Sequence, residues 1–249
     1  DRVPRSGRGL ILTPSGAELL EQVRRMGDAA TGVSLTASGQ AQSFEGKIRI
    51  TASEIEALTL LPPIIAKLRR VAPGIGVEIL GSNTTADLRR READIAIRSF
   101  RPTEPELIAK KIRENTAHVF ASTEYLERIG RPRTVEQVNK ADFIGYEPPE
   151  AFLQGLNERT GLAVSPANLK VLSSSSALHW ELVKAGVGMA VLPDRLGDRE
   201  PGVERVLNGI VRPLMFPMWL TSHRELNTSR RVRFVFDFLV EELSRPQRH

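Results

Sequence analysis

Four consecutive hydroxyls, Ser173-Ser174-Ser175-Ser176, precede His179 by three residues, and a serine beside an imidazole is the pairing of nucleophilic catalysis. The run has no Gly-x-Ser-x-Gly elbow to hold one serine at a sharp turn. His179 falls on the helix that follows, where the amphipathic pattern turns its ring toward solvent. Glu54 and Glu56 form a second cluster. Two carboxylates in one short loop suit acid–base work, and they suit a solvated turn equally well. Gly7-Arg8-Gly9 lacks the preceding strand that a dinucleotide fingerprint requires. Cysteine is absent, and the four histidines, His118, His179, His223 and His249, are too scattered for a local metal-binding spacing. No catalytic residue, metal or cofactor is therefore expected, and binding is the better reading.

Groups suited to binding stand at the ends of strand-like segments. Ser53 follows the first, Asn83 and Thr84 the second, Arg98 and Phe100 the third, and Ser173, Ser174 and Ser175 the segment ending at Leu172. Hydroxyls and an amide can orient a small ligand, Phe100 offers apolar contact, and a guanidinium can hold a carboxylate or phosphate bidentately. Glu54 and Glu56 argue the other way, since acids at a cleft mouth repel anions. A separate basic cluster, Arg2, Arg5 and Arg8, lies in a Pro/Gly-containing stretch with one acid, Asp1. It suits a loop touching a phosphate backbone, whereas the overall charge of +5 favours anionic partners only weakly.

The elements that must position these groups follow from periodicity. Thr13-Pro14 opens a helix whose stripe is Leu19, Leu20, Val23, Met26, Ala30 and Val33, with charges on the other face. Such a helix needs a partner for its stripe, and Leu19, Leu20, Val23 and Met26 are its expected dimer contacts. Small polar residues at 39–43 break the pattern, and the globular body begins near Phe44.

Strands and helices then alternate. Strands are expected at 48–52, 75–80, 94–98, 117–121, 143–146, 169–172, 187–192 and 218–221, with an extended stretch at 107–112. Helices are expected around 60–68, 86–91, 125–129, 135–138 and 152–156. Two more are marked by a face of Ala177, Leu178, Leu182 and Val183, and by a stripe of Val232, Val235, Phe236, Leu239 and Leu243. Two such sheet units leave a cleft between them, where α/β proteins bind ligands. No apolar run reaches the roughly 18 residues of a membrane helix, and the basic start has no secretory apolar core. A cysteine-free chain fits a reducing cytoplasm.

Residues 2–16, Arg-Val-Pro-Arg-Ser-Gly-Arg-Gly-Leu-Ile-Leu-Thr-Pro-Ser-Gly, resemble the wing and wing-to-linker junction of LysR-type transcriptional regulators. Arg2, Arg5, Leu12, Thr13 and Gly16 match that motif. The likeness continues through Gly46-Lys-Ile-Arg-Ile-Thr-Ala-Ser53, Pro73-Gly-Ile-Gly-Val-Glu78, Asp94-Ile-Ala-Ile-Arg98 and Val183-x-Ala-Gly-Val-Gly-Met-Ala-Val-Leu-Pro193. Arg91-Glu92 departs from a stretch where the family often has glycine.

The resemblance implies an α/β protein of two Rossmann-like lobes, of the periplasmic-binding-protein type II kind, preceded by a wing remnant and a long linker helix. The recognition helix is expected to lie ahead of Asp1. The implied organisation is 1–16 wing, 17–43 linker and hinge, 44–117 first lobe, 118–215 second lobe, and 216–249 a return to the first. The implied partners are double-stranded DNA, a small-molecule effector held in the cleft, further copies as dimer or tetramer, and RNA polymerase, with no membrane. The competing reading, a free-standing solute-binding protein, requires a secretory leader and has no use for a basic wing.

Overall fold

A computed structural model describes residues 5–6, 9–10, 44–83, 93–225 and 229–245. The linker with Leu19, Leu20, Val23 and Met26, the helix expected at 86–91, and Arg2, Arg8 and Thr84 lie outside the described residues. Strands β1 (Arg5–Ser6) and β2 (Gly9–Leu10) pair antiparallel, Arg5 opposite Leu10 and Ser6 opposite Gly9. Arg5 thus stands on a strand where the sequence suggested a loop.

The body opens with β3 (Gly46–Ala52), in which Ile48 and Ile50 are buried while Lys47 and Arg49 face out, the alternation of a half-buried strand. Helices α1 (Glu54–Thr59) and α2 (Leu61–Val71) follow; α2 buries Leu61, Ile64 and Leu68 at helical spacing. Strands β4 (Ile75–Gly81) and β5 (Ile95–Arg98) run parallel to β3 on its two sides. All four residues of β5 are buried, as in a central strand. Glu54 and Glu56 are on α1 and not in a loop; Ser53 caps that helix, which the short interval before Leu60 concealed.

Strand β6 (Leu107–Ser122) is one continuous element of 16 residues where the sequence suggested two. At about 3.3 Å per residue it spans both lobes. Its polar centre, Arg113-Glu114-Asn115, interrupts the apolar pattern because neither core covers it there. Beyond it come α3 (Thr123–Arg128), α4 (Val135–Val138), β7 (Phe143–Gly145), α5 (Pro149–Thr160) and β8 (Leu169–Leu172). The chain continues through α6 (Ser176–Lys184), β9 (Ala190–Pro193), α7 (Asp194–Gly197) and β10 (Val203–Arg205). Strand β11 (Leu214–His223) and helix α8 (Arg230–Ser244) complete it.

Strand β11 runs antiparallel to β6 from Leu214 opposite Ala117 to His223 opposite Leu107, with a register shift at Met218/Trp219. Its far half also pairs with β5, which carries α8 back onto the first sheet. There Val232, Val235, Phe236, Leu239 and Leu243 join Ile48, Ile50, Leu61, Leu68, Ile95 and Ile97 in one core. The other half of β6 pairs with β9 and β10, and β7 pairs with β8 and bridges to Met189. These elements enclose a second core around Val119, Tyr125, Phe143, Leu156 and Met189.

A smaller cluster crosses between the lobes. Ile55 of α1 is buried with Phe120, Trp180, Val183 and Leu192. On α6 the buried face is Ser176, His179, Trp180 and Val183, while Leu178 is 45% exposed. The face expected from Ala177, Leu178 and Leu182 is therefore turned by about one residue step, and His179, expected at the surface, is 1% exposed. The large Trp180 decides the orientation, because it removes more apolar area from water than the leucines would.

Two glycines make opposite demands. A Cβ on Gly197 would run into the buried ring of Phe120, whereas one on Gly155, inside α5, would meet nothing within 4 Å. In denaturant unfolding, Gly197→Ala should cost about 1–3 kcal/mol through overpacking. Gly155→Ala should instead gain roughly 0.5–1 kcal/mol through restricted backbone freedom.

Candidate ligand cleft between the lobes

A cleft of about 480 Å³ opens beside the crossing strands, within the range of small-molecule sites. Ala117 of β6 with Leu214 and Phe216 of β11 forms its floor. Ser53, Ile55, Glu56 and Ser99 supply one wall. Tyr146, Phe152, Gly155, Leu156, Arg159 and Ser176 supply the other, and Val191, Leu192, Pro193 and Arg195 close the back. Ser53, Ser99 and Tyr146 each follow the carboxyl end of a parallel strand, where helices and strands of an α/β sheet diverge.

Of the residues singled out in the sequence, Ser53 lines this cleft. Its Oγ donates to Glu56 Oε2 at 2.8 Å and accepts from the Glu56 amide at 3.4 Å, so it caps α1 as well. Asn83 stands at the rim. Its Nδ2 donates to the Ser174 carbonyl at 2.9 Å and to Glu54 Oε2 at 3.1 Å, and its Oδ1 accepts from the Glu54 amide at 3.1 Å. Ser175 Oγ donates to Glu54 Oε2 at 2.7 Å while accepting from the Leu178 amide at 3.2 Å. Ser173 Oγ accepts from the Ser175 amide at 3.1 Å. The serine run is thus largely engaged in capping α6 and tying it to α1, and Ser176 is its member that lines the cleft.

Arg98 and Phe100 stand elsewhere. Arg98 is 5% exposed, with Nη2 donating to Thr51 Oγ1 and Nη1 to the Ile97 carbonyl, both at 3.0 Å. Phe100 is 40% exposed and does not line the cleft; Ser99, between the two, does. Sequence reasoning also missed Tyr146, although it ends a strand as Ser53 does. Glu56, singled out with Glu54 as an acid at the cleft mouth, also lines the cleft, whereas Arg159 and Arg195 carried no local signal, since their arrival there depends on how distant segments return to the hinge.

Burial dominates the electrostatics. The Tyr146 phenol is pushed up to about 12, first by burial and then by the Glu54 carboxylate, against a hydrogen bond with Ser176. Its ring lies 4.2 Å from that of His179 and 5.7 Å from that of Phe152. Burial draws the Arg195 guanidinium down to about 10; Glu56 opposes the shift and Arg113 reinforces it. His179 Nε2 donates to the Ser173 carbonyl at 3.0 Å, so its proton is directed at a backbone oxygen and not at a serine hydroxyl. Among the described residues, no group of three His, Cys, Asp or Glu side chains is arranged to hold a metal, and no helix is long and apolar enough to cross a membrane.

A cleft bounded by two α/β lobes and floored by two antiparallel crossing strands is an architecture with known relatives. The family model of the LysR substrate binding domain matches residues 41–244. The chain belongs to the LysR family. The regulator CrgA of Neisseria meningitidis is 25% identical over 251 residues, 96% of this chain and 81% of the relative. An HTH-type regulator of Escherichia coli, YhjC, is 27% identical over 246 residues, 95% of this chain and 81% of the relative. The solved CrgA structure superposes with a TM-score of 0.70 at 24% identity, covering 97% of this chain and 83% of that one. The full-length Vibrio cholerae virulence activator AphB gives 0.72 at 19% identity, covering 96% and 82%. This LysR chain therefore has the type II periplasmic-binding-protein fold and carries the effector-sensing domain of a transcription regulator.

The buried imidazole gives the domain a pH dependence. Burial holds the His179 pKa below its ordinary 6.5, against favourable contacts with the Ser173 and Gly145 carbonyls and with Glu54. Above 6.5 the ring is neutral folded and unfolded, and stability is fully present. As the pH falls below 6.5 the unfolded chain takes up a proton that the folded chain resists, so stability declines toward the depressed folded value. Urea midpoints at about pH 8 and about pH 5.5 should differ in this sense, and His179→Gln should shrink the difference.

Proposed function

We propose that this LysR regulator binds a small-molecule effector in the inter-lobe cleft and thereby resets the spacing of paired DNA-reading heads. The observation that carries the proposal is the cleft itself, walled by Ser53, Ser99 and Glu56 from one lobe and by Tyr146, Phe152 and Ser176 from the other. A ligand shifts an equilibrium only by binding its states unequally, and a ligand touching both walls meets that condition whenever the lobes turn relative to one another. The rim ties of Glu54 and Asn83 to Ser174 and Ser175 favour one lobe arrangement without a ligand. Ser173 belongs to the same rim, and Thr84 follows Asn83 directly in sequence. Arg98 and Phe100, expected from the sequence as contacts, act through Thr51 and through the surface beside Ser99.

The remaining assignments belong to the same proposal. Residues 1–16 contribute a wing whose Arg2, Arg5 and Arg8 meet the DNA backbone, and 17–43 form a linker that pairs copies through Leu19, Leu20, Val23 and Met26. Residues 44–117 with 216–249 make the first lobe and 118–215 the second. The assembly is a dimer or tetramer that works in the cytoplasm, acts on RNA polymerase at the promoter, and catalyses no reaction. HTH-type regulators among the relatives favour this reading over a free-standing solute-binding protein.

DNase protection and DNA bending, measured on the complete regulator with and without its effector, test the mechanism. Effector should change footprint length or bend angle; a transcriptional response with both unchanged would transfer control to a direct polymerase contact. Arg5→Ala should weaken binding to operator and unrelated DNA alike and lower the salt slope by about 1, as loss of one phosphate contact requires. An unaltered slope would remove Arg5 from the DNA backbone.

A further inference from the structure

Two side chains of opposite charge, buried Glu56 and half-buried Arg195, face the cleft without an ion pair between them among the described residues. Glu56, 1% exposed, takes one side-chain donor among the described residues, Ser53 Oγ at 2.8 Å. Arg195, on α7 behind the crossing strands, donates from Nη2 to Thr59 Oγ1 at a long 3.4 Å, and its buried Nε has no hydrogen-bond partner among the described residues. The two attract one another, yet no ion pair joins them among the described residues. A buried carboxylate facing a half-buried guanidinium whose Nε has no partner is costly, and a polar group that reaches both recovers part of that cost.

We propose that the effector is a small carboxylic acid bearing a hydrogen-bond donor, ammonium or hydroxyl, on the carbon next to its carboxylate. The carboxylate is held by Arg195 and the donor by Glu56. This rests on the reading that the effector occupies the inter-lobe cleft, and it names the class of molecule that fits. A planar monoanion matches the two-pronged guanidinium. A phosphate dianion would bring a second negative charge beside buried Glu56. The rest of the molecule is apolar, because Phe152, Leu156, Leu214 and Phe216 face it. Arg98, the cation suggested by the sequence, is committed to Thr51 and Ile97 and stands apart from this wall.

Calorimetry on the whole chain with two matched probe series tests the assignment. One series is phenylalanine, 3-phenyllactate, 3-phenylpropionate and phenylalaninamide; the other is the same set built on leucine. The amino or hydroxy acid should bind, and loss of either the carboxylate charge or the neighbouring donor should weaken binding about tenfold or more. Arg195→Gln should abolish the preference for acid over amide, with Arg195→Lys retaining part of it. Glu56→Gln should abolish the preference for a donor over hydrogen. Gly155→Trp, which grows into the cleft from a position with open space, should remove binding of every probe.

An amide that binds as tightly as its acid, an Arg195→Gln protein that keeps wild-type affinity for the acid, or failure of every probe to bind would each overturn the proposal. Binding lost in Gly155→Trp but unchanged in Arg195→Gln would overturn the anchor alone and keep the cleft. Binding unchanged in Gly155→Trp would overturn the cleft reading itself.

Discussion

Everything in this domain hangs on the antiparallel pairing of β6 with β11. Hydrogen bonds between neighbouring strands make the pair a ribbon that bends and twists more readily than it parts, and the ribbon enters both cores. One half of β11 is stitched to β5 in the first lobe, while the far end of β6 is stitched to β9 and β10 in the second. The lobes are thus joined by backbone geometry, and the motion left to them is rotation about the ribbon. The cleft lies against its face, with Ala117, Leu214 and Phe216 as floor, so the volume open to a ligand and the angle between the lobes are one variable.

That constraint explains the division of labour around the cleft. At the rim, short polar groups cross from lobe to lobe: Glu54 to Ser175, and Asn83 to Ser174. The first is part-buried and the second exposed to water; each contributes about 0.5–1.5 kcal/mol, enough to bias the arrangement and little enough to be exchanged for ligand contacts. Deeper in, Tyr146, His179 and Arg195 are held in an environment where burial moves pKa values, and Glu56 is buried beside them where a missing partner is expensive. The rim can therefore tune position while the interior selects chemistry.

Much of this was legible beforehand, and the failures have physical causes. The stripe of α8 was complete in the sequence because one helix face meets one core, so helical spacing and burial coincide at Val232, Val235, Phe236, Leu239 and Leu243. Strand β6 was not, because periodicity reports burial and its centre crosses between cores. The strand-end rule pointed to Ser53, which lines the cleft, and Asn83, which stands at its rim, but to Arg98 and Phe100 and not to Ser99, since it locates a turn without telling which side chain faces the opening. Arg195 and Glu56 were invisible as partners: 139 positions separate them, and only the double crossing brings them to one cleft.

Among the described residues, Ile55 is the one side chain of the first lobe that is buried in a cluster otherwise belonging to the second, among Phe120, Trp180, Val183 and Leu192. Any rotation that withdraws it wets apolar surface on both sides, at a cost of roughly 1.5–3 kcal/mol for a side chain of its size. Ile55 thereby adds an apolar contribution without polar specificity to the rim hydrogen bonds that favour this arrangement of the lobes. Apparent affinity scales with the fraction of molecules already competent to bind, so trimming or enlarging this one residue retunes the concentration at which the sensor responds and leaves its polar selectivity intact. Because apolar hydration weakens on cooling, the same residue makes that threshold drift with temperature, giving the sensor a thermal coefficient written at a single position.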